Sequence, residues 1–396
     1  MKTTLTTLTL RVLLLFPVFT LLSFVPGANT LLVIVSFALI VALILKKGIS
    51  KKNFWLLFIT LISTAWNLFV TGLQIINANE VIYLGYMCAF FVLITDNKLQ
   101  VKQYFQKDIR YIKWICIIWN VFVLVSLPLK SSYRDGVFIS FAGDTFRLSP
   151  SALFIMTLTT ILIVFKGRKN IIYSIIPMLS ILIGSSRTYL LLSALCMTIN
   201  LYYVIKNRKY YLGVLGIMTA LCVMVVLDSS MGQKIIDSFR TSTYRSQLSI
   251  FTNGRAVFWL RDLEAYLDQS TSKLLFGCGY NFIRIVNGAV LGTSERGLWA
   301  HNDFLQVLIT NGLAGFLVYC YAIRKMFKCC LPKSLPKLMR AVLVFIWFFN
   351  AFFNMYYTYM CAMLSLPILL IACEHGYANK ANAEELLEGI KKRRRT

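Results

Sequence analysis

The chain has 396 residues, of which 58% are hydrophobic and only 14% charged. A soluble domain of that size needs more polar surface, so composition excludes an ordinary soluble globular protein and points to a membrane protein. The net charge of +25 does not mark a nucleic-acid binder, because most lysines and arginines stand in short clusters between apolar runs, the pattern of a polytopic membrane protein.

A helix needs roughly 20 apolar residues to cross a bilayer. The candidate spans, in chain order, are 6–25, 30–45, 54–72, 81–95, 114–129, 150–165, 171–185, 189–205, 210–227, 303–323, 341–357 and 359–373, about 12 runs in all. The first starts like a signal peptide, with Lys2 and Arg11. It lacks a small-residue cleavage site and is long enough to span, so it reads as a retained first helix. The last two are nearly contiguous, with one re-entrant pair as the alternative reading. If every run spans, the basic clusters Lys46–Lys52, Lys98–Lys113, Lys166–Lys169, Lys206–Lys209, Arg324–Arg340 and Lys391–Arg395 all fall on one side. The positive-inside rule makes that side, with both termini, cytoplasmic. The expected organisation is therefore residues 1–227 as nine transmembrane helices, 228–302 as one large periplasmic loop with short helices, 303–373 as three more spans, and 374–396 as a basic cytoplasmic tail, expected to be disordered.

The ten cysteines form no disulfide framework. Most, such as Cys88, Cys116, Cys196 and Cys361, lie inside apolar runs and act as small hydrophobes. There is no CxxC pair, and a zinc site is not expected. No metal and no other cofactor is expected.

The large outer loop holds the candidate chemistry. The stretch "GRAVFWLRDLEAYL" (Gly254–Leu267) has helical composition, with Arg255, Trp259 and Asp262 on one face and Arg261 turned elsewhere, toward Glu264. "FGCGYNF" (Phe276–Phe282) reads as a turn built on Gly277 and Gly279. In "WAHNDFLQVL" one of only two histidines, His301, precedes Asn302 and Asp303, a pair suited to cap the following helix. His301 reads either as an interfacial residue or as a general base near neutral pH. Arg187, in the tight break "GSSRTYLLL", reads either as snorkelling to headgroups or as an anion ligand. Arg255 has a surface salt bridge as its plain alternative, and Arg147 in "DTFRLSPSA" has a bond to Asp144. Guanidinium groups bind phosphate through paired hydrogen bonds, which makes a local anion clamp the sharper reading of all three. No DxD triplet, Walker motif or GxSxG is present, and few acids lie within spans, which disfavours metal-dependent glycosyl transfer and ion-coupled transport.

At these residues the chain resembles the O-antigen ligase and polymerase family of bacterial integral membrane glycosyltransferases. "SSRTYLLL" looks like the family's Ser/Thr–Arg pair, "GRAVFW" like its Gly-Arg-x-x-x-Trp motif, "LLFGCGYNF" like its Leu-Phe-Gly-x-Gly turn, and "AHNDFLQVLITNGLAGFLVY" like its His-Asn motif followed by a Gly-Leu-x-Gly bend. The resemblance implies an all-α, GT-C-like fold with a metal-independent cavity facing the periplasm of the bacterial inner membrane. It implies His301, Arg255 and Arg187 as catalytic residues, with Arg147, Asn302, Trp259 and Arg261 binding substrate. The implied donor is an undecaprenyl-pyrophosphate-linked glycan. The implied acceptor is a lipid-linked repeat unit for a polymerase, or lipid A-core for a ligase. Membrane lipids and a chain-length regulator protein are the expected partners, and nucleic acid is not. Polymerase is the preferred member, ligase the alternative. A flippase fits less well, since flippases show two similar halves and no single large outer loop.

Overall fold

The computed structural model describes residues 4–71, 79–99, 101–130, 137–205, 207, 209–217, 255–290, 298–331 and 333–393. Among the described residues every regular element is a helix, and the one β-type pairing is an isolated antiparallel bridge between Lys130 and Phe138. Five helices are long and apolar enough to cross a membrane. They are α3 (Ala28–Lys47), α4 (Lys51–Thr71), α8 (Thr145–Lys166), α14 (Asp303–Cys330) and the first part of α16 (Met360–Arg393). At 1.5 Å per residue the 20 residues of α3 cover about 30 Å, the thickness of a hydrocarbon core.

Several expected runs take a different form. The first is broken into α1 (Leu5–Leu14) and α2 (Phe16–Leu21), because Pro17 has no N–H to continue the helical ladder. Next come α5 (Asn79–Thr95), the short α6 (Lys102–Lys107) and α7 (Ile109–Val125). The run 171–185 becomes a 3₁₀ stretch (Arg168–Ser174) leading into the nine-residue α9 (Ile175–Ile183), ahead of α10 (Arg187–Val204). A 3₁₀ stretch rises faster per residue, so this piece still covers about 28 Å. Of the run 210–227, residues 210–217 are helical and the rest lie outside the described residues, as does 228–254 of the large loop. The described part of that loop holds three short helices, α11 (Arg255–Leu267), α12 (Thr271–Phe276) and α13 (Phe282–Val290). The last two runs are separate helices, α15 (Lys337–Phe353) and α16, joined by the linker 354–359. The tail, expected to be disordered, continues α16 as helix to Arg393. Its alanine, glutamate, leucine and lysine content favours helix strongly enough to carry the last span past its apolar end.

Helix α8 is the hub. It is buried on nearly every side and packs along α16, α10, α9, α7 and α2. By contrast α3 and α4 expose Leu31, Ile34 and Leu45, and Phe54, Phe58 and Phe69, along their outer faces. A helix that is apolar all round and central is a core helix, and one with an apolar outer face suits contact with lipid.

Direct bonds bring three of the basic clusters together, those at 46–52, 98–113 and 324–340. Arg11 forms a two-pronged ion pair with Asp108 at 2.7 Å. Lys47 bonds the carbonyl of Leu99, Asp96 accepts from Ser50 and Asn53, and Lys325 reaches Asn53. Away from them Ser23 donates to the carbonyl of Phe141 at 2.6 Å.

The expected tenth span is broken. Gly312 interrupts α14 with φ 66° and ψ −175°, a region essentially reserved for glycine. Sixteen residues of straight helix would hold Asp303 and Tyr319 about 24 Å apart. Their side chains instead share a 2.9 Å hydrogen bond, so the segment 303–311 folds back along the segment 313–330.

Candidate functional site at the end of the broken helix

The break frees carbonyls that a continuous helix would bond internally. The glycine turn after α12 takes them. The Cys278 N–H donates to the Ile309 carbonyl at 2.9 Å, and the Gly279 N–H to Thr310 at 3.3 Å. Gly277 and Gly279 hold positive φ, and a Cβ on Gly277 would stand 2.1 Å from the Thr310 oxygen. One face of α4 seals the other side. The Asn67 amide and the Ser63 hydroxyl donate to the Asn311 side-chain oxygen, and the Trp66 indole donates to the Gly277 carbonyl at 3.2 Å. The expected turn and the expected bend are thus two halves of one junction.

His301 lies just before the segment 303–311. Asn302 caps that segment as expected, its Oδ1 accepting from the Leu305 N–H at 3.2 Å, and the helix starts at Asp303. The backbone around the histidine is held from several sides. Trp259 donates to the Ala300 carbonyl, the Gln306 side chain accepts from the Ala300 N–H, and Asn287 donates to the Leu298 carbonyl at 3.0 Å. Trp259 and Asn302 therefore position the histidine loop through their side chains. His301 itself has φ 50°, one of three left-handed non-glycine residues among those described, with Ser140 and Ser185. Such strain costs about 1–3 kcal/mol and persists only where surroundings enforce it.

A cavity of about 580 Å³ opens beside His301. That is within the range of small-molecule sites. Its walls include Tyr83, Arg147, Tyr280, Trp299, Tyr357 and Tyr359, together with Asn29 and Thr30 at the start of α3. Phe146 stacks on the His301 ring at 6.3 Å. Each of these pieces belongs to the side that charge alternation assigns outward.

The arginines are arranged unequally. Arg255, the first residue of α11, donates to the Phe353 carbonyl at the end of α15. It does not pair with Asp262, which accepts from Asn287 instead. Burial lowers the Arg255 pKa; the nearby Tyr359 phenol raises it, and the charge of Arg187 lowers it further. Arg255 and Arg187 therefore lie within electrostatic reach of one another, and burial together with the charge of Arg255 depresses the His301 pKa to about 3. Two guanidiniums within electrostatic reach of one another, with a neutral imidazole beside Arg255, favour an anion. Arg147 lines the cavity directly and forms no ion pair with Asp144, whose carboxylate caps α8 through the Phe146 N–H at 2.9 Å. Arg261 is exposed on the far face of α11, and it forms no ion pair with Glu264. The structure thus brings Arg187, Arg255 and His301 together, sets Arg147 in the adjoining cavity, and leaves Arg261 apart.

Sequence reasoning missed Tyr359, which lines the cavity and acts on Arg255, and Gln306, which steadies the histidine loop. The aromatic run "NMYYTY" between the last two spans was the available signal. No protein-family model matches the chain, and no curated protein matches it.

Proposed function

We propose that the protein is a metal-independent glycosyltransferase of the bacterial inner membrane that polymerises undecaprenyl-pyrophosphate-linked oligosaccharide repeat units at the periplasmic face. Both termini are then cytoplasmic. The observation that carries this reading is the cavity walled by His301, Arg147 and four tyrosines, with the charge of Arg255 acting on His301 and that of Arg187 on Arg255.

Arg187 and Arg255 hold the donor pyrophosphate and stabilise the charge that grows on it as it leaves. The acceptor hydroxyl oxygen bonds to the anomeric carbon while the bond from that carbon to the pyrophosphate oxygen breaks. The electron pair leaves with the pyrophosphate, and the hydroxyl proton passes to His301. Burial first, and repulsion from Arg255 second, keep His301 neutral and make it a weak base. A pyrophosphate beside Arg255 offsets that repulsion and raises the histidine toward the pKa the task needs. The aromatic walls give sugar rings flat apolar faces, and Arg147 gives the acceptor's own phosphate a second cation.

The deciding experiment is a gel of lipopolysaccharide or capsule from a deletion strain. Loss of the polymer ladder with single repeats still attached supports polymerisation. Loss of every attached repeat replaces it with the ligase reading, and an unchanged gel sinks both.

A further inference from the structure

We propose that Trp299 is the sugar platform of the cavity: a pyranose ring of the glycan stacks on its indole face, and its Nε1–H donates to a hydroxyl of that ring. That the ligand is a sugar rests on the glycosyl-transfer reading, but the availability of the indole does not.

The chain has seven tryptophans, and their surroundings set this one apart. Trp66, Trp119 and Trp259 spend their indole N–H groups on the Gly277 carbonyl, the Ser151 hydroxyl and the Ala300 carbonyl. Trp347 is packed against Phe304, Phe327 and Phe348. Trp55 and Trp114 stand exposed on α4 and α7. Only Trp299 lines the cavity. It is half-buried, and its N–H meets no acceptor among the described residues.

The ring is held from outside the cavity. The Arg284 guanidinium, on α13, lies over one face of the indole at 5.2 Å from the ring centre. With that face taken, the opposite face is the one a ligand in the cavity can reach. The backbone is tied on both sides of Trp299. The Leu298 carbonyl accepts from Asn287, on the same helix as Arg284, and Ala300 is bonded to Trp259 and Gln306. A wall fixed in this way loses little freedom when a ligand settles on it, so less of the contact energy is spent on ordering.

Sugar chemistry fits what the indole offers. The equatorial hydroxyls of a pyranose lie around its rim, and its axial C–H bonds point above and below, where they are weakly positive. The face of an aromatic ring is negative, and tryptophan adds one donor at its edge. One side chain therefore serves both the apolar face of the sugar and one rim hydroxyl. Trp299 precedes His301 by two residues in the same loop, which puts the stacked sugar beside the reacting hydroxyl. The consequence is specificity: an axial hydroxyl on the stacked face holds the ring off the indole, and such a sugar is refused.

The test uses the full-length protein in lipid nanodiscs with ¹⁵N-labelled tryptophan. The probe is a set of lipid-free oligosaccharides cut from the host's own surface polysaccharide. They carry no pyrophosphate, so they read the sugar site apart from the arginines. The signal missing from Trp299→Phe assigns its indole N–H. Adding the oligosaccharides should move that signal and leave those of Trp66 and Trp119 in place. In turnover on lipid-linked donor, Trp299→Ala should raise KM roughly tenfold with kcat within a few-fold of wild type, the pattern of lost binding. Trp299→Phe keeps a flat ring and should recover most of that loss, and Trp114→Phe should match wild type. An unmoved Trp299 signal overturns the platform, as does a wild-type KM in Trp299→Ala. Absence of turnover in the parent overturns the transferase reading instead, and the indole signal then decides the platform alone.

Discussion

His301 is kept neutral by the same surroundings that hold it in place. Burial and Arg255 pull its pKa down to about 3, so at neutral pH the ring carries no charge. A general base contributes about 10²–10⁴-fold to rate. His301→Gln should lose turnover in that range while accumulating normally in membranes, whereas His375→Ala, whose ring lies against Phe165, should match wild type. Arg187→Lys and Arg255→Lys keep charge but lose the planar fork, and each should lose most activity. Full activity in all three site variants, read as polymer formed per milligram of protein, would return these residues to structural roles. A second residue-scale effect belongs to Asp262. It is fully buried beside Asn287, with its Oδ1 unpaired, and burial raises its pKa to about 7. The unfolded value is about 3.9, so the folded state binds more protons between pH 4 and 7. Stability is then greatest at the acid end of that window and is lost as pH rises through about 7, by about 4 kcal/mol in total. Asp262→Asn should raise the melting midpoint at pH 8 and flatten its dependence between pH 4 and 7. A midpoint lowered at pH 8, with the slope unchanged, would refute this.

At the scale of elements, the break in α14 decides where the histidine stands. A continuous helix from Asp303 to Cys330 would carry His301 well away from Tyr319 and the 354–359 linker. Gly312 permits the turn, and the glycine turn at 277–279 supplies the N–H groups that make it affordable. Gly312→Ala would place a Cβ about 2.4 Å from the Gly277 nitrogen in a conformation that alanine avoids. Backbone strain alone costs about 1–3 kcal/mol, and the clash adds to it. The variant should melt lower and lose activity, as should Gly277→Ala, whose Cβ meets the Thr310 carbonyl. Gly213→Ala, in open space on a helical stretch, is the matched control and should change neither. Equal melting of all three variants would mean the junction is not structural. The turn at Gly277 and Gly279 was legible in the sequence as a permissive turn, and the bend at Gly312 only through the family resemblance. Their mutual hydrogen bonding was not, because it joins segments more than thirty residues apart.

At the scale of the whole molecule, the charge alternation and the contacts agree on which ends lie together. Lys47, Asp96, Asn53 and Lys325 meet at one end, and the cavity stands where the outward pieces converge. Substituted cysteines test the absolute direction. Ser270 and Ser334 are both exposed, one on the loop side and one beside the basic segment that follows α14. An impermeant thiol reagent added to intact spheroplasts should label Ser270→Cys and spare Ser334→Cys; the reverse pattern inverts the topology and removes the periplasmic site. A third labelling position, Ser242, lies outside the described residues.

Long apolar runs, basic clusters and glycine turns are local properties, and local chemistry was enough to determine an all-helical chain with apolar helices of spanning length and the cap at Asn302. The same reasoning overcounted regularity. It read 6–25 and 303–323 as single helices, because hydropathy averages over a window and does not register where a proline removes one donor or a glycine reverses the chain. The family resemblance added Arg261 to the substrate-binding residues, although the helix geometry already turned it away from Arg255, as the structure does. Which polar groups meet was decided only in three dimensions. Arg187, Arg255, His301 and Tyr359 come from four separate segments, and Asp303 reaches Tyr319 only because the chain folds back at Gly312. Those meetings depend on how helices pack across long separations, and no local pattern in the sequence carries that information.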